Sequence, residues 1–311
     1  MITYSDNIMN NPLVSVIIPN YCHAKYLDQR IHSVLNQTYQ NFEVIILDDC
    51  SPDDGASRAV IEKYRDNPHV SHIIYNTENS GSPFKQWDRG IELAQGTFIW
   101  IAESDDYADI HFLETLVPIL QHNDNVSITF CRSVLFNDTD GVIGESGPAN
   151  IVEGAIRGGT FIHDYMRSGT GIVNASAALF KKTALDKSHS LYSTFKGAGD
   201  RMIWIELSEQ GDVYFVEKRY NFFRRHNHTT TKVCNETGIN QTEDKRIFDY
   251  ICQKGYVTKN EIPKIVDYYV RVHIFEMITD KKLKKNLYKV WNYGFLKQLI
   301  LRIKYFIQKF K

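Results

Sequence analysis

The chain has 311 residues, of which 43% are hydrophobic and 23% charged. This composition is typical of a globular protein, and the length suits one large domain with an appendage. The formal net charge is only −1, but the segment 281–311 holds ten Lys or Arg residues and no acidic one, which leaves about −11 for the preceding part. An acidic body with a short basic end argues against a general nucleic-acid binder.

Five cysteines are scattered along the chain, at positions 22, 50, 131, 234 and 252, without a Cys-x-x-Cys motif. Their odd number and spacing predict neither a disulfide framework nor a zinc site, and they favour a reducing compartment. The first twelve residues lack the basic and apolar regions of a signal peptide. No stretch reaches the roughly 18 continuous apolar residues of a membrane span. We therefore expect a cytoplasmic protein.

Patterns of buried strands alternate with patterns of helices from residue 14 to residue 136. Short apolar runs predict strands over 14–19, 42–47, 70–75, 97–102 and 126–136. Apolar residues at helical spacing and cap residues predict helices over 25–36, 84–94 and 109–120, and one that ends near residue 64. This alternation predicts an α/β fold with a Rossmann-like, mostly parallel sheet flanked by helices.

The pattern weakens after residue 136. Gly-rich loops up to about residue 171 contain one short predicted helix at 160–167. Strands over 174–181 and 212–216 enclose a predicted helix over 200–210, and the segment 244–280 is predicted to be helical with a charged face. We therefore predict a main domain over 1–235 and a helical C-terminal extension over 236–311.

Acidic residues follow two of the predicted strands. The segment TFIWIAESDD (97–106) ends a buried strand with Glu103, Asp105 and Asp106, and Asp48 and Asp49 follow the strand 42–47. Because strand ends of an open α/β sheet converge on a ligand-binding crevice, both pairs are expected at one site. A divalent cation carrying a diphosphate would relieve the repulsion between adjacent carboxylates. The alternative is two solvated turns, in which Asp is common.

Three segments agree with one protein family in residue type, order and spacing: VSVIIPNY, SVLNQTYQNFEVIILDDCSPDD and NSGSPFKQWDRGIELAQGTFIWIAESDD. They resemble the family 2 glycosyltransferases, which have the GT-A fold. The resemblance is dense over about 12–120 and thinner to about 230. It implies inverting, metal-dependent transfer of a sugar from a nucleotide diphosphate, with a UDP-sugar favoured, to a glycan or lipid-linked glycan acceptor. The implied cofactor is Mn²⁺ or Mg²⁺, and the implied context is cell-surface glycan or polysaccharide synthesis.

The resemblance also divides the main domain into a nucleotide-binding part (about 12–125) and an acceptor part (about 126–235). Pro19 and Tyr21 match the position where the nucleotide base packs. Asp49 matches the acid that accepts a hydrogen bond from the base, with Asp48 in support. Lys85 matches the approach to the diphosphate, where a cation suits phosphate. The alternatives are a helix cap for Asp49 and a solvated surface position for Lys85.

Asp105 and Asp106 match the metal-binding signature of the family, which reads Asp-x-Asp in many relatives. Asp106 is expected to be the direct metal ligand, and Asp105 is expected to face the ribose or the metal. Because Glu103 occupies the first position of the signature, the carboxylate that contacts the metal stays open.

The late segment FFRRHNHT resembles a loop that closes over the diphosphate. His226 is expected to be a metal ligand, with His228 as the alternative, because a neutral imidazole binds Mn²⁺ well. Arg225 is expected to pair with phosphate. Without the resemblance, a basic surface loop is the alternative.

The segment GAGD (197–200), followed by Trp204, resembles the part of the family that supplies the catalytic base. An inverting displacement needs one carboxylate, opposite the leaving diphosphate, that takes the proton of the attacking hydroxyl. Asp200 is therefore expected to be this base, and Trp204 is expected to contact the acceptor. A helix N-cap is the alternative for Asp200.

The basic end of the chain carries apolar residues at helical spacing: Leu296, Leu299, Ile300, Ile303, Phe306, Ile307 and Phe310. A cationic amphipathic helix fits an anionic membrane surface, which predicts peripheral attachment to the inner face of the plasma membrane. The alternative is a helix that packs on the body of the protein with solvated lysines.

Two other functions compete with sugar transfer. A non-catalytic module that binds nucleotide sugars or glycans would bind donor without transferring sugar. A nucleotidyltransferase of similar topology would carry a Gly-rich loop after the first strand, and PNYCHAKY contains no glycine.

Overall fold

A central sheet of ten strands organises the computed structural model, which describes residues 11–148, 150–226 and 230–309, with side chains up to residue 303. The strands are β1 (Val14–Asn20), β2 (Phe42–Asp48), β3 (Val70–Tyr75), β4 (Phe98–Ile101), β5 (Tyr107–Ala108), β6 (Val126–Asn137), β7 (Gly141–Ser146), β8 (Gly154–Ile156), β9 (Ala178–Lys181) and β10 (Asp212–Arg224). The order across the sheet is β3-β2-β1-β4-β9-β6-β10-β5, with β7 paired to β6 and β8 to β10.

Parallel pairing in the first half of the sheet brings the ends of its strands together. β1 lies between β2 and β4 and is parallel to both, and Asn20 at its end is opposite Asp48 of β2. Each residue of β1 and β2 is buried, as expected of parallel strands covered on both faces. The second half is mixed, because β9 runs antiparallel to β4 and β6 whereas β6 and β10 are parallel.

Helices cover both faces of the sheet. The α-helices are α1 (Ala24–Leu35), α2 (Ala56–Glu62), α3 (Pro83–Leu93), α4 (Phe112–His122), α5 (Gly158–Phe161), α6 (Lys182–Leu185), α7 (Gly199–Ser208), α8 (Thr230–Thr237), α9 (Ile239–Gln253), α10 (Ile262–Tyr269), α11 (Lys281–Val290) and α12 (Phe295–Lys309). Turns of π-helix follow α5 and α10, over Ile162–Met166 and Val270–Glu276. The predicted α/β fold is confirmed.

Side-chain alternation along the strands divides the core into two layers. Val16 of β1 faces the layer that contains Leu27 of α1 and Leu116 of α4. Its neighbour Ile17 faces the other layer, which contains Trp87 of α3 and residues of α7 and α9. Because the two layers cover the faces of the sheet, loops from different elements meet at the ends of the strands.

The C-terminal helices pack into the second of these layers. Trp291 is buried, stacks on Tyr269 with ring centroids 4.8 Å apart, and donates its indole N–H to the carbonyl oxygen of Gln241 (2.9 Å). Residues of α9, α10 and α11 therefore share one apolar core with α7. The apolar core continues across the predicted division between residues 235 and 236, which stays a prediction. In the described part of the chain, no helix has the length and apolar character needed to cross a bilayer.

Candidate active site

Three residues from distant parts of the chain converge at the carboxyl end of the sheet. His23 follows β1, Asp105 follows β4, and His226 follows β10. The Nε2 atom of His226 lies 3.0 Å from Oδ2 of Asp105, and potential ligand atoms of all three residues lie within 4.8 Å of one another. Each of the three side chains is partly exposed, so a ligand can reach them from solvent.

The electrostatics of this cluster suit a cation. Burial lowers the pKa of His23 and His226 adds to this shift, although the charge of Asp105 opposes it. Burial opposes the ionisation of Asp105, but the hydrogen bond from His226 and the nearby imidazoles outweigh it and lower the pKa of Asp105. A carboxylate beside neutral imidazole is a good set of donors for a divalent transition metal.

Asp106 is surrounded by hydrogen-bond donors, and its expected role as the direct metal ligand stays a prediction. It is 1% exposed, and its Oδ2 accepts hydrogen bonds from Asn174 (2.9 Å) and Ser176 (2.7 Å). Its Oδ1 accepts the backbone N–H of Arg224 (2.9 Å). Residues 103–106 form a turn, in which the backbone N–H of Asp106 donates to the carbonyl oxygen of Glu103 (3.2 Å), so Asp105 faces the cleft and Asp106 faces the interior.

Because Asp105 and Asp106 repel each other, their carboxyl groups differ in pKa. Burial and the charge of Asp105 raise the pKa of Asp106 to about 6. Burial and both Asp charges raise the pKa of Glu103 to about 8, and the indole N–H of Trp87 donates a 2.8 Å hydrogen bond to this carboxyl group. Asp105 is therefore the acid of this segment that stays ionised most readily.

Arg30 of α1 supplies a countercharge that the sequence patterns did not reveal. It is fully buried, donates from Nε to the carbonyl oxygen of Glu103 (2.8 Å), and approaches Oδ2 of Asp106 to 3.9 Å. Its Nη atoms have no hydrogen-bond partner among the described residues. The positive charge beneath the acidic segment thus compensates part of the repulsion even without a metal.

Arg224 joins the end of β10 to the same acidic segment. Its Nε donates to the carbonyl oxygen of Asp105 (2.8 Å), and its guanidinium lies 4.4 Å from the ring centroids of Tyr26 and Phe136. It also pairs with Asp138. Because Arg224 directly precedes the Arg225–His226 segment, these contacts fix the approach of His226 to Asp105.

Asp49 organises the loop between β3 and α3. Its Oδ1 accepts hydrogen bonds from Asn76, Gln86 and the backbone N–H of Ser80, and its Oδ2 accepts from Asn79 and the hydroxyl of Ser80, at 2.7–3.2 Å. A carboxylate offers about four lone-pair positions, so these five donors saturate it. A contact of Asp49 with a base stays a prediction that needs one of these donors to move.

The other predicted nucleotide contacts differ in their exposure. Tyr21 is 45% exposed, and burial, followed by Cys22 and Asp49, raises the pKa of its phenol. Pro19 is buried within β1, opposite Leu47. Asp48 accepts hydrogen bonds from Asn20 (2.7 Å) and from the hydroxyl of Ser51 (2.7 Å), and its support of a base contact stays a prediction. Tyr21 is thus the accessible surface for a base.

The two predicted phosphate contacts are both exposed. Lys85 lies in the first turn of α3 and donates to the carbonyl oxygen of Ser80 (3.0 Å). The guanidinium of Arg225 lies 5.1 Å from the ring centroid of Phe223. His228, the alternative to His226, lies outside the described residues.

Asp200 lies in the first turn of α7 with its side chain partly exposed. Burial raises its pKa to about 6, against the opposing charge of Arg201. The preceding loop packs closely on neighbouring helices: a Cβ on Gly199 would lie 2.5 Å from the ring of Phe84, and one on Gly197 would lie 2.0 Å from Oδ1 of Asn240. The loop is therefore held in one position, and Asp200 with it.

Glu243 of α9 anchors that loop from the C-terminal helices, which the sequence patterns did not reveal. This 6% exposed carboxylate accepts the backbone N–H groups of Lys196 (2.8 Å), Gly197 (2.9 Å) and Ala198 (2.9 Å). Ser82 at the start of α3 donates to the carbonyl oxygen of Phe195 (2.8 Å) from the other side. The loop before Asp200 thus connects the C-terminal helices with the loop that Asp49 organises.

Trp204 is a core residue, which corrects the expectation that it contacts an acceptor. Its side chain is fully buried and meets Phe180 edge to face, with ring centroids 6.1 Å apart. Residues 201–208 of α7 are all buried, so Trp204 lies inside the core although it follows Asp200 by only one turn. The indole offers no surface to a sugar.

The donor set of the cluster fits the cation that the family resemblance implies. His23 and His226 supply nitrogen and Asp105 supplies oxygen, a set that Mn²⁺ accepts more readily than Mg²⁺, which prefers oxygen ligands. His23 was missed in the sequence, although its place at the end of β1, on the same edge as Asp105, was a usable signal.

Comparison with known proteins identifies relatives of this chain. It is 39% identical over 95 residues to the putative teichuronic acid biosynthesis glycosyltransferase TuaG of Bacillus subtilis. It is 27% identical over 215 residues to the poly(ribitol-phosphate) beta-N-acetylglucosaminyltransferase TarP of Staphylococcus aureus. These matches cover 30% and 68% of this chain, and the chain spans only 36% of TuaG and 62% of TarP.

Solved structures resemble the whole fold. The structure of S. aureus TarS 1–349 in complex with UDP-GlcNAc has a TM-score of 0.57 at 16% identity and covers 89% of this chain and 86% of that chain. The mannosyltransferase PcManGT from Pyrobaculum calidifontis, in complex with GDP-Man and Mn²⁺, has a TM-score of 0.58 at 15% identity, over 96% and 80%. At these identities the likeness concerns the fold alone, and it confirms the predicted GT-A fold.

A family model described as "Glycosyl transferase family 2" matches residues 15–188, which is more than half of the chain. The matched region contains β1 to β4 and the acidic segment after β4. The chain therefore belongs to glycosyl transferase family 2.

Proposed function

We propose that this protein is an inverting glycosyltransferase that moves a sugar from a nucleotide-diphosphate sugar to an acceptor hydroxyl. The observation that carries the proposal is the convergence of His23, Asp105 and His226 beside the Tyr21–Asp49 loops, in a chain of this family. A UDP-sugar is the favoured donor, because TarS, a protein of similar fold, binds UDP-GlcNAc and UDP.

In this mechanism Asp200 is the catalytic base. The acceptor oxygen attacks the anomeric carbon, its proton passes to the carboxylate of Asp200, and the nucleoside diphosphate leaves with the electrons of the broken C–O bond. Attack opposite the leaving group inverts the anomeric centre. A pKa of about 6 suits this role, because Asp200 is then mostly ionised at neutral pH yet more basic than an exposed Asp.

His23, Asp105 and His226 would hold Mn²⁺ or Mg²⁺. When bound, the cation neutralises the charge that develops on the diphosphate leaving group. Lys85 and Arg225, both exposed at the same edge of the sheet, would pair with phosphate oxygens. Tyr21 would pack on the base, and Asp49 would contact the base if one of its five loop donors is displaced.

We also propose the acceptor class and the location. TuaG and TarP are named for teichuronic acid synthesis and for transfer to poly(ribitol phosphate). A cell-surface glycan, or its lipid-linked precursor, is accordingly the proposed acceptor. The proposed location is the cytoplasm, at the inner face of the plasma membrane.

A thermal-shift and calorimetric panel tests the donor. Nucleoside diphosphates and their sugars are titrated with and without Mn²⁺, and the expected result is preferential stabilisation by UDP and one UDP-sugar. Release of UDP from the preferred donor, with and without candidate acceptors, then measures chemistry. Turnover that persists after treatment with EDTA and dialysis would remove the metal from the proposal.

The competing function is a non-catalytic module that binds nucleotide sugars. The panel alone does not separate the two, since both bind donor. Mn²⁺-dependent release of UDP that is lost in an Asp200→Asn variant supports an enzyme. Tight donor binding without any release, in the presence of a range of acceptors, supports the module.

A further inference from the structure

The outward face of α12 is an exposed apolar stripe. Its members are between 42% and 79% exposed: Phe295, Leu296, Leu299, Ile300 and Ile303. They recur at spacings of one and three residues, which places them on one side of the helix. Leu301, on the opposite side, is 7% exposed and packs on the second core layer. The helix therefore has apolar residues on two faces, and only one of them is covered by the body of the protein.

A cationic groove borders this stripe. It has a volume of about 980 Å³ and lies between the π-helical turn 270–276, α11 and the start of α12. Its lining contains five basic residues and no acidic one: Lys281, Lys284, Lys285, Lys289 and Arg302. Tyr288 and Tyr293 contribute aromatic walls. The groove thus combines concentrated positive charge with surfaces that contact the apolar part of a ligand.

The cations of the groove lie close to one another. The Nζ atom of Lys284 donates to the carbonyl oxygen of Phe275 (2.9 Å). Burial, and after it the charge of Arg302, lowers the pKa of Lys284. Two positive side chains therefore share one groove without an acidic residue in its lining. A bound anion would relieve their repulsion, and phosphate can accept hydrogen bonds from both.

We infer that the groove and the stripe together bind a bilayer containing anionic phospholipid, with a lipid phosphate in the groove and the stripe at the acyl boundary. This inference rests on the proposed location at the inner membrane face, but not on the transferase chemistry. An apolar helix face flanked by Lys and Arg is the arrangement by which helices lie in an anionic membrane surface.

Two other occupants fit the surface less well. A soluble polyanion would use the cations but would leave the apolar stripe exposed to water. In a symmetric dimer through the stripe, each copy would face the same basic groove of its partner. The segment 281–311 has ten basic residues and no acidic one to offset that repulsion. An anionic bilayer satisfies the charge and the apolar surface at once.

Flotation with vesicles tests the inference. The full chain is mixed with vesicles of phosphatidylcholine alone or of phosphatidylcholine with phosphatidylglycerol. Binding is expected only in the second case, and it should weaken as salt is added. The Lys284→Gln/Arg302→Gln variant removes two of the five groove cations, and the Leu296→Gln/Ile300→Gln variant removes part of the stripe. Each should weaken binding about tenfold or more.

Matched variants elsewhere serve as controls. Lys259→Gln/Lys264→Gln removes two exposed lysines outside the groove, and Val142→Gln removes a 69% exposed apolar side chain of β7. Both should bind vesicles like the unchanged protein, and thermal unfolding verifies that every variant is folded. Equal binding to both vesicle types, or unchanged binding of the groove and stripe variants, would overturn the inference.

Two further outcomes also contradict it. A dimer in light scattering that the stripe variant abolishes, without vesicle binding, assigns the stripe to a second copy. Binding to dextran sulfate but not to vesicles assigns the groove to a soluble polyanion. Metal-dependent release of UDP is measured in parallel, without vesicles. If the protein binds vesicles but releases no UDP, the result counts against the transferase proposal alone.

Discussion

The Nε2 atom of His226 lies 3.0 Å from Oδ2 of Asp105, although 121 positions separate the two residues in the sequence. Their contact is supported from both sides, because Arg224 binds the backbone of Asp105 and Asp106 accepts the N–H of Arg224. The end of β10 and the loop after β4 therefore form one unit. His23 completes that unit from β1, and the following predictions test what it does.

Replacement of Asp200 by Asn removes the proposed base while keeping the size of the side chain. Sugar transfer is expected to fall by roughly 10²–10⁴-fold, the usual contribution of general base catalysis. The affinity for donor, measured by calorimetry, should change little because Asp200 takes the proton of the acceptor. Asp186→Asn, at an exposed position after α6, is the control and should retain transfer. Full activity of Asp200→Asn would exclude this residue as the base.

The same group predicts how activity depends on pH. Asp200 must be ionised to accept a proton, and its pKa is raised to about 6. The value of kcat should therefore be constant above pH 7 and fall about tenfold per pH unit below pH 6. The profile is measured as the rate at saturating donor and metal between pH 4.5 and 8. This is about the range in which this acid titrates. A rate that stays constant down to pH 4.5 would mean that Asp200 has an ordinary carboxyl pKa or is not the base.

His23 is expected to bind the metal directly. In the absence of nucleotide, His23→Gln should weaken Mn²⁺ binding by about tenfold, or 1.4 kcal/mol, as measured by calorimetry and electron paramagnetic resonance. The unchanged protein should prefer Mn²⁺ over Mg²⁺, because two of the three donors are imidazole nitrogens. His122→Gln, at an exposed position in the last turn of α4, is the control. Equal Mn²⁺ affinity of the His23 variant and the unchanged protein would contradict this role.

Glu243 is expected to act through the loop before Asp200, as a positioning residue. Glu243→Gln keeps the shape of the side chain but replaces one acceptor oxygen by an NH₂ group, which faces backbone N–H donors. The value of kcat should fall by about tenfold, since a small displacement of a catalytic group is costly. KM for the donor should stay the same.

A matched variant separates this role from general stability. Glu236→Gln changes an exposed acid on the neighbouring α8 and should leave kcat unchanged. Thermal unfolding of both variants verifies the fold. A Glu243→Gln variant that is folded and retains full kcat would show that the three backbone hydrogen bonds do not position Asp200.

Much of the fold could be predicted because its first half depends on local patterns. Continuous apolar runs indicate that β1, β2 and β4 are buried on both faces, and apolar residues at helical spacing identify α1 and α3. Because these strands and helices alternate along the chain, the strands are expected to pair in parallel. A strand was predicted over 174–181, where β9 lies, but its antiparallel direction and the continuation of β10 to Arg224 were not predicted. β10 passes through register shifts near Val216 and Arg219, and the residues there do not follow the alternation that identifies a strand.

By itself, the sequence determined that carboxylates stand at the ends of two strands, β2 and β4, because each strand and the acids that follow it are contiguous. Only the tertiary structure decided which acid faces the cleft. Asp106 turns inward to Asn174 and Ser176, which come about 70 positions later, and Asp105 is left to meet His23 and His226. The physical reason is that burial and hydrogen bonding set the role of a side chain, and the partners here come from segments that only folding brings together.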